Sequence, residues 1–241
     1  MYNDFKVIAN YYDDLYVKPE LYSTEIDTIV EICNKYKQNN GNRLLDVACG
    51  TGGHIPYLLN NFRVSGLDLS EDMLKIARNK YPNISFYCDN MMNFSLDTKF
   101  DIIICLYGSI GFVKTLPNVK QTLKNFSKHL NPGGLVILTP WMTKESFSDN
   151  IFVDTVANEH IKIARMENIK LKEENLVEVT FHHLIGENGE VKYHTQNIEV
   201  GLFSKDNYIS AIQDSGLEYI SFYDGPSIIM GAFICRLPVI K

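Results

Sequence analysis

A chain of 241 residues, 45% hydrophobic and 22% charged, has the balance of a soluble globular protein and the length for one large α/β core. Its net charge of −6 and pI near 5.5 speak against a nucleic-acid partner, since such binding draws most of its affinity from neutralising phosphates. The five scattered cysteines form no C-x-x-C pair, and no apolar run is long enough for a bilayer, which points to a cytoplasmic protein without a membrane partner and with a small-molecule ligand.

In chain order, Ile26, Ile29, Val30 and Cys33 recur at helical spacing after Ser23 and fade into the polar Lys37 to Gly41, predicting a helix that leads into a strand from Arg43 to Val47. A helix around Ile55 to Asn60 and a strand from Val64 to Asp68 follow. Ser70 caps the next helix, with Glu71 and Asp72 in its first turn and Met73, Leu74, Ile76 and Ala77 turned inward. Strands at Ile84 to Cys88 and Phe100 to Leu106, a helix from Pro117 to Leu130 and a strand from Leu135 to Thr139 continue the alternation. Alternating segments with near-continuous apolar strands predict a parallel sheet covered on both faces, whose ligands sit beyond the carboxyl ends of the strands. Asp46, Asp68, Asn90 and Tyr107 fall at such ends.

The rhythm breaks after Pro140. Val177 to Ile185 and Val191 to Phe203 flank Asn188-Gly189, a strong hairpin signal, so residues of about 141–203 are expected to form an antiparallel insertion over the sheet, the wall of a substrate site. A two-residue turn there sets Glu187 opposite Glu190 and His183 opposite His194. Ser204 opens a last helix to about Ser215, and the short link Asp224 to Ser227 requires the final strands, Leu217 to Tyr223 and Ile228 to Leu237, to pair antiparallel.

The chemistry is concentrated in Leu44-Leu45-Asp46-Val47-Ala48-Cys49-Gly50-Thr51-Gly52-Gly53-His54 and in Asp68, at the tip of the following strand. A strand that ends in a glycine turn and opens a helix brings backbone N–H groups up to a ligand, and a carboxylate on the next strand can accept both hydroxyls of a ribose. A dinucleotide fingerprint would place a third glycine where Ile55 stands, which weakens a nicotinamide reading.

The run from Asp46 to Gly52 resembles motif I of the class I S-adenosylmethionine-dependent methyltransferases, and Gly66 to Arg78 resembles their motif II. Tyr12-Asp13, Met91 to Leu96, Ser109-Ile110-Gly111, His129 to Gly134, Pro140-Trp141, Leu202-Phe203 and Gly225-Pro226-Ser227 are similar to one branch, the N,N-dimethyltransferases of nucleotide-linked amino sugars. The resemblance implies one Rossmann-like domain over 1–241, a seven-stranded mostly parallel sheet with an antiparallel final strand. It implies S-adenosyl-L-methionine as cofactor, with Asp46, Ala48, Gly50 and Gly52 near its methionine part, Asp68 on the ribose, Met73, Asn90 and Met91 around the adenine, and Leu106 along the wall. The expected activity is methyl transfer to a small-molecule acceptor, an amine nitrogen first, with O- or C-methylation or non-catalytic cofactor binding as alternatives. Tyr11, Tyr12, Tyr16, Glu145, His183 and His194 are the candidates for accepting the amine's proton, with Tyr12, Tyr16, Glu145 and His183 carried forward. Two histidines without a third ligand make no metal site. Phe112 and Ile229 stand where the branch carries a histidine and an arginine, which predicts poor use of a diphosphate-linked acceptor unless Lys144 or Lys192 substitutes.

Overall fold

The computed structural model describes residues 8–239. Its strands, in chain order, are β1 (Arg43–Val47), β2 (Arg63–Asp68), β3 (Ser85–Cys88), β4 (Phe100–Cys105), β5 (Leu130–Leu138), β6 (Asn150–Ala157), β7 (Ile161–Glu173), β8 (Leu176–Glu187), β9 (Glu190–Gly201), β10 (Glu218–Tyr223) and β11 (Ala232–Arg236). The helices are α1 (Tyr12–Tyr16), α2 (Pro19–Tyr36), α3 (Ile55–Leu58), α4 (Glu71–Lys80), α5 (Leu116–His129) and α6 (Lys205–Asp214).

A seven-stranded sheet runs in the order β10-β11-β5-β4-β1-β2-β3. Strands β1 to β5 pair in parallel, and β11 is antiparallel to both its neighbours. The apolar run of β4 is explained by its two covered faces. Ile103 and Cys105 pack with Val119, Leu123 and Phe126 of α5 and Tyr208 and Ile212 of α6, whereas Ile102 and Ile104 pack with Ile26 and Ile29 of α2 and Ile55 and Leu58 of α3. Helix α2 begins at Pro19, four residues before the expected Ser23, because proline at the first turn loses no intrahelical hydrogen bond. Ser70 accepts from Met73 N and starts α4 as expected.

The segment after Pro140 differs from the expected hairpin. β6 to β9 form a four-stranded antiparallel sheet in sequence order, so two strands precede the pair that the sequence predicts. Asn188 and Gly189 both have positive φ (53° and 81°), and their turn sets Glu187 opposite Glu190 and His183 opposite His194. One face of this sheet packs Ile161, Ile163 and Ile185 against Leu15 of α1 and buries Ile169, Val177, Val179 and Phe181. The other face leaves Val153, Met166, Leu184 and Tyr193 exposed. No helix among the described residues is long and apolar enough to cross a membrane.

Candidate active site

The carboxyl ends of β1, β2 and β3 open on a cavity of about 450 Å³, within the range of small-molecule sites. Ala48, Gly50, Asp68, Met73, Asn90 and Met91 line one part, with Tyr12 across from them. Ser109, Phe112, Val113, Lys114, Glu178 and Glu199 line the rest, so β8 and β9 of the insertion supply part of the wall.

The glycine loop is shaped by left-handed backbone at Ala48 (φ 60°), Gly50 (φ 54°) and Gly52 (φ 80°). Ala48 adopts that conformation with a Cβ, a cost of roughly 1–2 kcal/mol that concentrates at functional turns. The two glycines do different work. A Cβ built on Gly50 would meet only the Tyr12 ring at 3.9 Å, leaving the backbone bare toward the cavity, whereas one on Gly52 would strike Ile55 Cδ1 at 2.9 Å and the Tyr81 ring at 3.1 Å. Asp68 locks this loop, for its Oδ2 accepts from Gly50 N and its Oδ1 from Ser70 N, both at 2.8 Å. Burial nevertheless raises the Asp68 carboxyl above its usual range, against the lowering effect of those N–H donors.

Beneath the loop, Asp46 is 2% exposed and its Oδ2 has no hydrogen-bond partner within the protein. Burial pushes its carboxyl up to about 7. At the cavity's far corner, Asn90 Oδ1 accepts from Met92 N at 2.9 Å, and a carbonyl oxygen keeps a second lone pair for another donor. Helix α1 bridges loop and insertion. Asp13 accepts from Thr51 Oγ1 and from Lys80 Nζ, while the Tyr12 and Tyr16 rings meet at 4.6 Å, tilted by 35°, and Tyr16 lies under the Arg165 guanidinium at 4.6 Å.

A methyltransferase domain model matches residues 44–134. The chain is 30% identical to the dTDP-3-amino-3,4,6-trideoxy-alpha-D-glucopyranose N,N-dimethyltransferase of Streptomyces venezuelae, over 91% of this chain and 93% of that protein. The chain belongs to the S-adenosylmethionine-dependent methyltransferases. Its fold superposes on the solved DesVI of Streptomyces venezuelae with a TM-score of 0.84 at 29% identity, covering 92% of this chain and 94% of that one. The S-adenosylmethionine-bound CalS10 of Micromonospora echinaspora, an amino pentose methyltransferase, gives 0.79 at 27% identity, covering 90% and 91%.

The residues present fit that cofactor. Gly50 is a cradle that a Cβ would fill, Asp46 offers an unpartnered carboxylate oxygen, and Asp68 stands at the tip of the neighbouring strand. In this methyltransferase the structure gathers Ala48, Gly50, Asp68, Met73, Asn90, Met91 and Tyr12 around one cavity. Asp46, Gly52 and Leu106 lie outside its lining, Asp46 buried beneath the loop, Gly52 against Ile55 and Tyr81 and Leu106 in the core on the α2 side. Tyr16 and His183 also lie outside it. His183 is fully buried with neither ring nitrogen partnered, and burial drops its pKa to about 4. Glu145 is exposed and accepts from Lys205 N at 3.3 Å, at the start of α6. Ile229 lines a second, smaller cavity with Glu25 and Tyr107. Lys144 pairs with Glu174, and Lys192 lies 3.9 Å from Glu190. The sequence reading gave no role to Glu25 on the buried face of α2, to His54 at the end of the glycine run, or to Arg165 on the inner face of a strand without clean alternation.

Proposed function

We propose that this methyltransferase moves the methyl group of S-adenosylmethionine to an amine nitrogen of a small acceptor, an amino sugar, that carries no diphosphate. The observation that supports this reading is the continuity of the cavity, from Asp68 and Gly50 at one end to Phe112, Glu178 and Glu199 at the other. An aromatic face and carboxylates suit an amine that arrives as its cation, releases its proton to solvent water and attacks as the neutral nitrogen. Hydrogen bonds from Lys114 and Lys172 hold Glu199 down to about 2, so that it stays charged at any physiological pH. Among the described residues Lys114 is the lysine of that lining, and it is engaged with Glu199 at 2.8 Å, which leaves a diphosphate without a committed cation there. In this proposal residues 1–241 act as one domain, with about 141–203 closing over the acceptor.

Bound S-adenosylmethionine supplies an activated methyl on a sulfonium with a neutral thioether as leaving group. The protein's task is then alignment and exclusion of water, and alignment alone supplies roughly 7–11 kcal/mol in well-oriented model reactions. Burial raises the Tyr12 phenol well above its usual value, so it is neutral at physiological pH and orients an amine by hydrogen bonding rather than by taking its proton. Tyr16, packed against Tyr12 at a tilt of 35°, helps to fix that ring.

A side-by-side assay of a free amino sugar and its thymidine-diphosphate form, each with S-adenosylmethionine, tests the substrate class. Turnover of the free form by at least tenfold over the nucleotide form is expected. Efficient use of the nucleotide form alone would place the acceptor with those named for the Streptomyces relative.

A further inference from the structure

Helix α1 has five residues, too few to hold a helix in water unaided, so its neighbours decide where it lies. Tyr11 just ahead of it, Asp14 and Leu15 follow one another by three and four residues and turn to the insertion. The Tyr11 hydroxyl donates to Glu187 Oε2 at 3.3 Å, Asp14 Oδ1 accepts from Asn158 Nδ2 at 3.1 Å, and Leu15 is buried against Ile161, Ile163 and Ile185. Tyr12 and Asp13 turn to the cofactor cradle instead. The Tyr12 ring stands over the bare backbone of Gly50, 3.9 Å from where a Cβ would be. Asp13 divides its carboxylate, Oδ1 accepting from the Thr51 hydroxyl in the glycine loop and Oδ2 from Lys80 Nζ at the end of α4, the latter at 2.6 Å. Thr51 is buried, and a buried hydroxyl that loses its acceptor is left with an unmet bond.

We propose that Asp13 is a positioning residue that clasps α1 over the cofactor: it acts through Tyr12, whose ring walls the cavity opposite Gly50, and the closed clasp slows release of the bound ligand. The inference rests on the S-adenosylmethionine reading of the cradle. The two attachments of α1 differ in kind. Toward the insertion, the buried leucine is held by non-directional contacts that tolerate small shifts, whereas the cradle side is held by hydrogen bonds that fail once donor and acceptor part beyond about 3.5 Å. The cradle side is therefore the side that opens. A ligand lying on Gly50 is confined between the loop and the Tyr12 ring, and its departure waits on the ties of Asp13. Of those ties, the one to Thr51 dominates, because it is charge-assisted and reaches a buried donor, while the Asp13–Lys80 pair is 40% and 29% exposed and surface pairs contribute little. Thr51 sits between Gly50 and Gly52, whose left-handed backbone shapes the loop, so the loop's conformation sets where the donor stands. A ligand that steadies the loop thus steadies the clasp.

The test measures S-adenosylhomocysteine association and dissociation rates by surface plasmon resonance, with hydrogen exchange of α1 read alongside. Asp13→Ala should raise the dissociation rate about tenfold and leave the association rate unchanged or faster. Bound ligand should protect the Val17 amide, which donates to Asp13 O, in the wild type and not in Asp13→Ala, while α4 is protected equally in both. Thr51→Val should reproduce most of the rise, Lys80→Met should raise the rate no more than about twofold, and Asp13→Ala added to Thr51→Val should add no more than about twofold. Asp13→Asn keeps an acceptor for Thr51 and should stay within about threefold of the wild type. An unchanged dissociation rate in Asp13→Ala, a loss carried wholly by slower association, or wild-type exchange at Val17 that ignores the ligand overturns the proposal. If Asp13→Ala does not melt cooperatively, Thr51→Val decides by the same two rates. Absence of binding by the wild type would instead overturn the cofactor reading of the cradle.

Discussion

The two sheets solve the same problem, burying a face, in opposite ways. The seven-stranded sheet is covered on both sides, its central strand β4 is buried along its whole length, and its polar residues of interest stand at strand ends, as Asp46 and Asp68 do. The four-stranded sheet covers one face only, and it places polar groups in the middle of that face: Arg165 on β7 lies across from Asp154 on β6 and His183 on β8. Arg165 is bound to Glu167 at 2.8 Å and approaches Asp154 at 3.6 Å, yet its Nε and Nη1 are buried without partners. Hence a change at the ends of the first sheet should cost ligand binding, and a change in the middle of the second should cost stability.

The largest effect expected under that division is at Gly50. Gly50→Val forces a β-branched residue into φ 54°, at a cost of roughly 1–2 kcal/mol, and fills the bare approach to the loop backbone at Gly50. Calorimetry should find no S-adenosylhomocysteine binding in a protein that still melts cooperatively. Gly52→Ala should show the reverse, a lowered melting temperature from the clash with Ile55 and Tyr81 and binding reduced far less. If Gly52→Ala lost binding at an unchanged melting temperature, the two glycines would share one role.

Asp68→Ala should be next. It removes a charged acceptor and frees Gly50 N and Ser70 N, so the loop loses its tie as well as its ligand contact. A loss of about 1.5–3 kcal/mol, roughly ten- to more than a hundredfold in affinity, is expected by calorimetry. An unchanged dissociation constant would take Asp68 out of the site.

That Gly50 and Asp68 could be read from the sequence, and Arg165 could not, has a physical cause. A parallel strand buried on both faces is a continuous apolar word, and the ligand residues follow at its end, so β1 with its loop and β2 with Asp68 are legible as strings. β7 alternates at Ile161, Ile163, Ile169 and Leu171, but the inward positions between them are Arg165 and Glu167, which erase the period that identifies a half-buried strand. The Glu25–His54 pair was hidden for another reason: the partners are 29 residues apart, and only the packing of α2 behind the loop brings them together.

The second sheet is tested at His183. Burial holds it near 4, below its ordinary 6.5, so the folded state keeps it neutral while the unfolded chain takes up a proton. Its contribution to stability is therefore whole above about pH 6.5 and is lost as pH falls toward 4, by about 3 kcal/mol at most. His183→Leu removes two unpartnered nitrogens and should flatten that part of the acid limb in urea melts at successive pH values, with S-adenosylhomocysteine affinity unchanged. A lost affinity with an intact acid limb would make His183 part of the site and break the division between the sheets.

The smallest effect is expected at Glu145, which separates proximity in sequence from proximity in space. It follows the Trp141 turn and is a carboxylate, the features that make it a candidate base, but its oxygens face Lys205 N at the first turn of α6, beside the Ser204 cap. A carboxylate there complements the helix's positive end, worth typically 0.3–1 kcal/mol at a surface. Glu145→Gln keeps an acceptor oxygen and removes the charge, so the melting temperature should fall by no more than a few degrees. Turnover with a saturating amine should be unchanged across the pH range, because a base removed from the reaction would shift the alkaline-rising limb of kcat, whereas a helix cap would not. A displaced limb would mean that the insertion swings Glu145 toward the acceptor during catalysis, and that the wall of the cavity is mobile where the sheet beneath it is fixed.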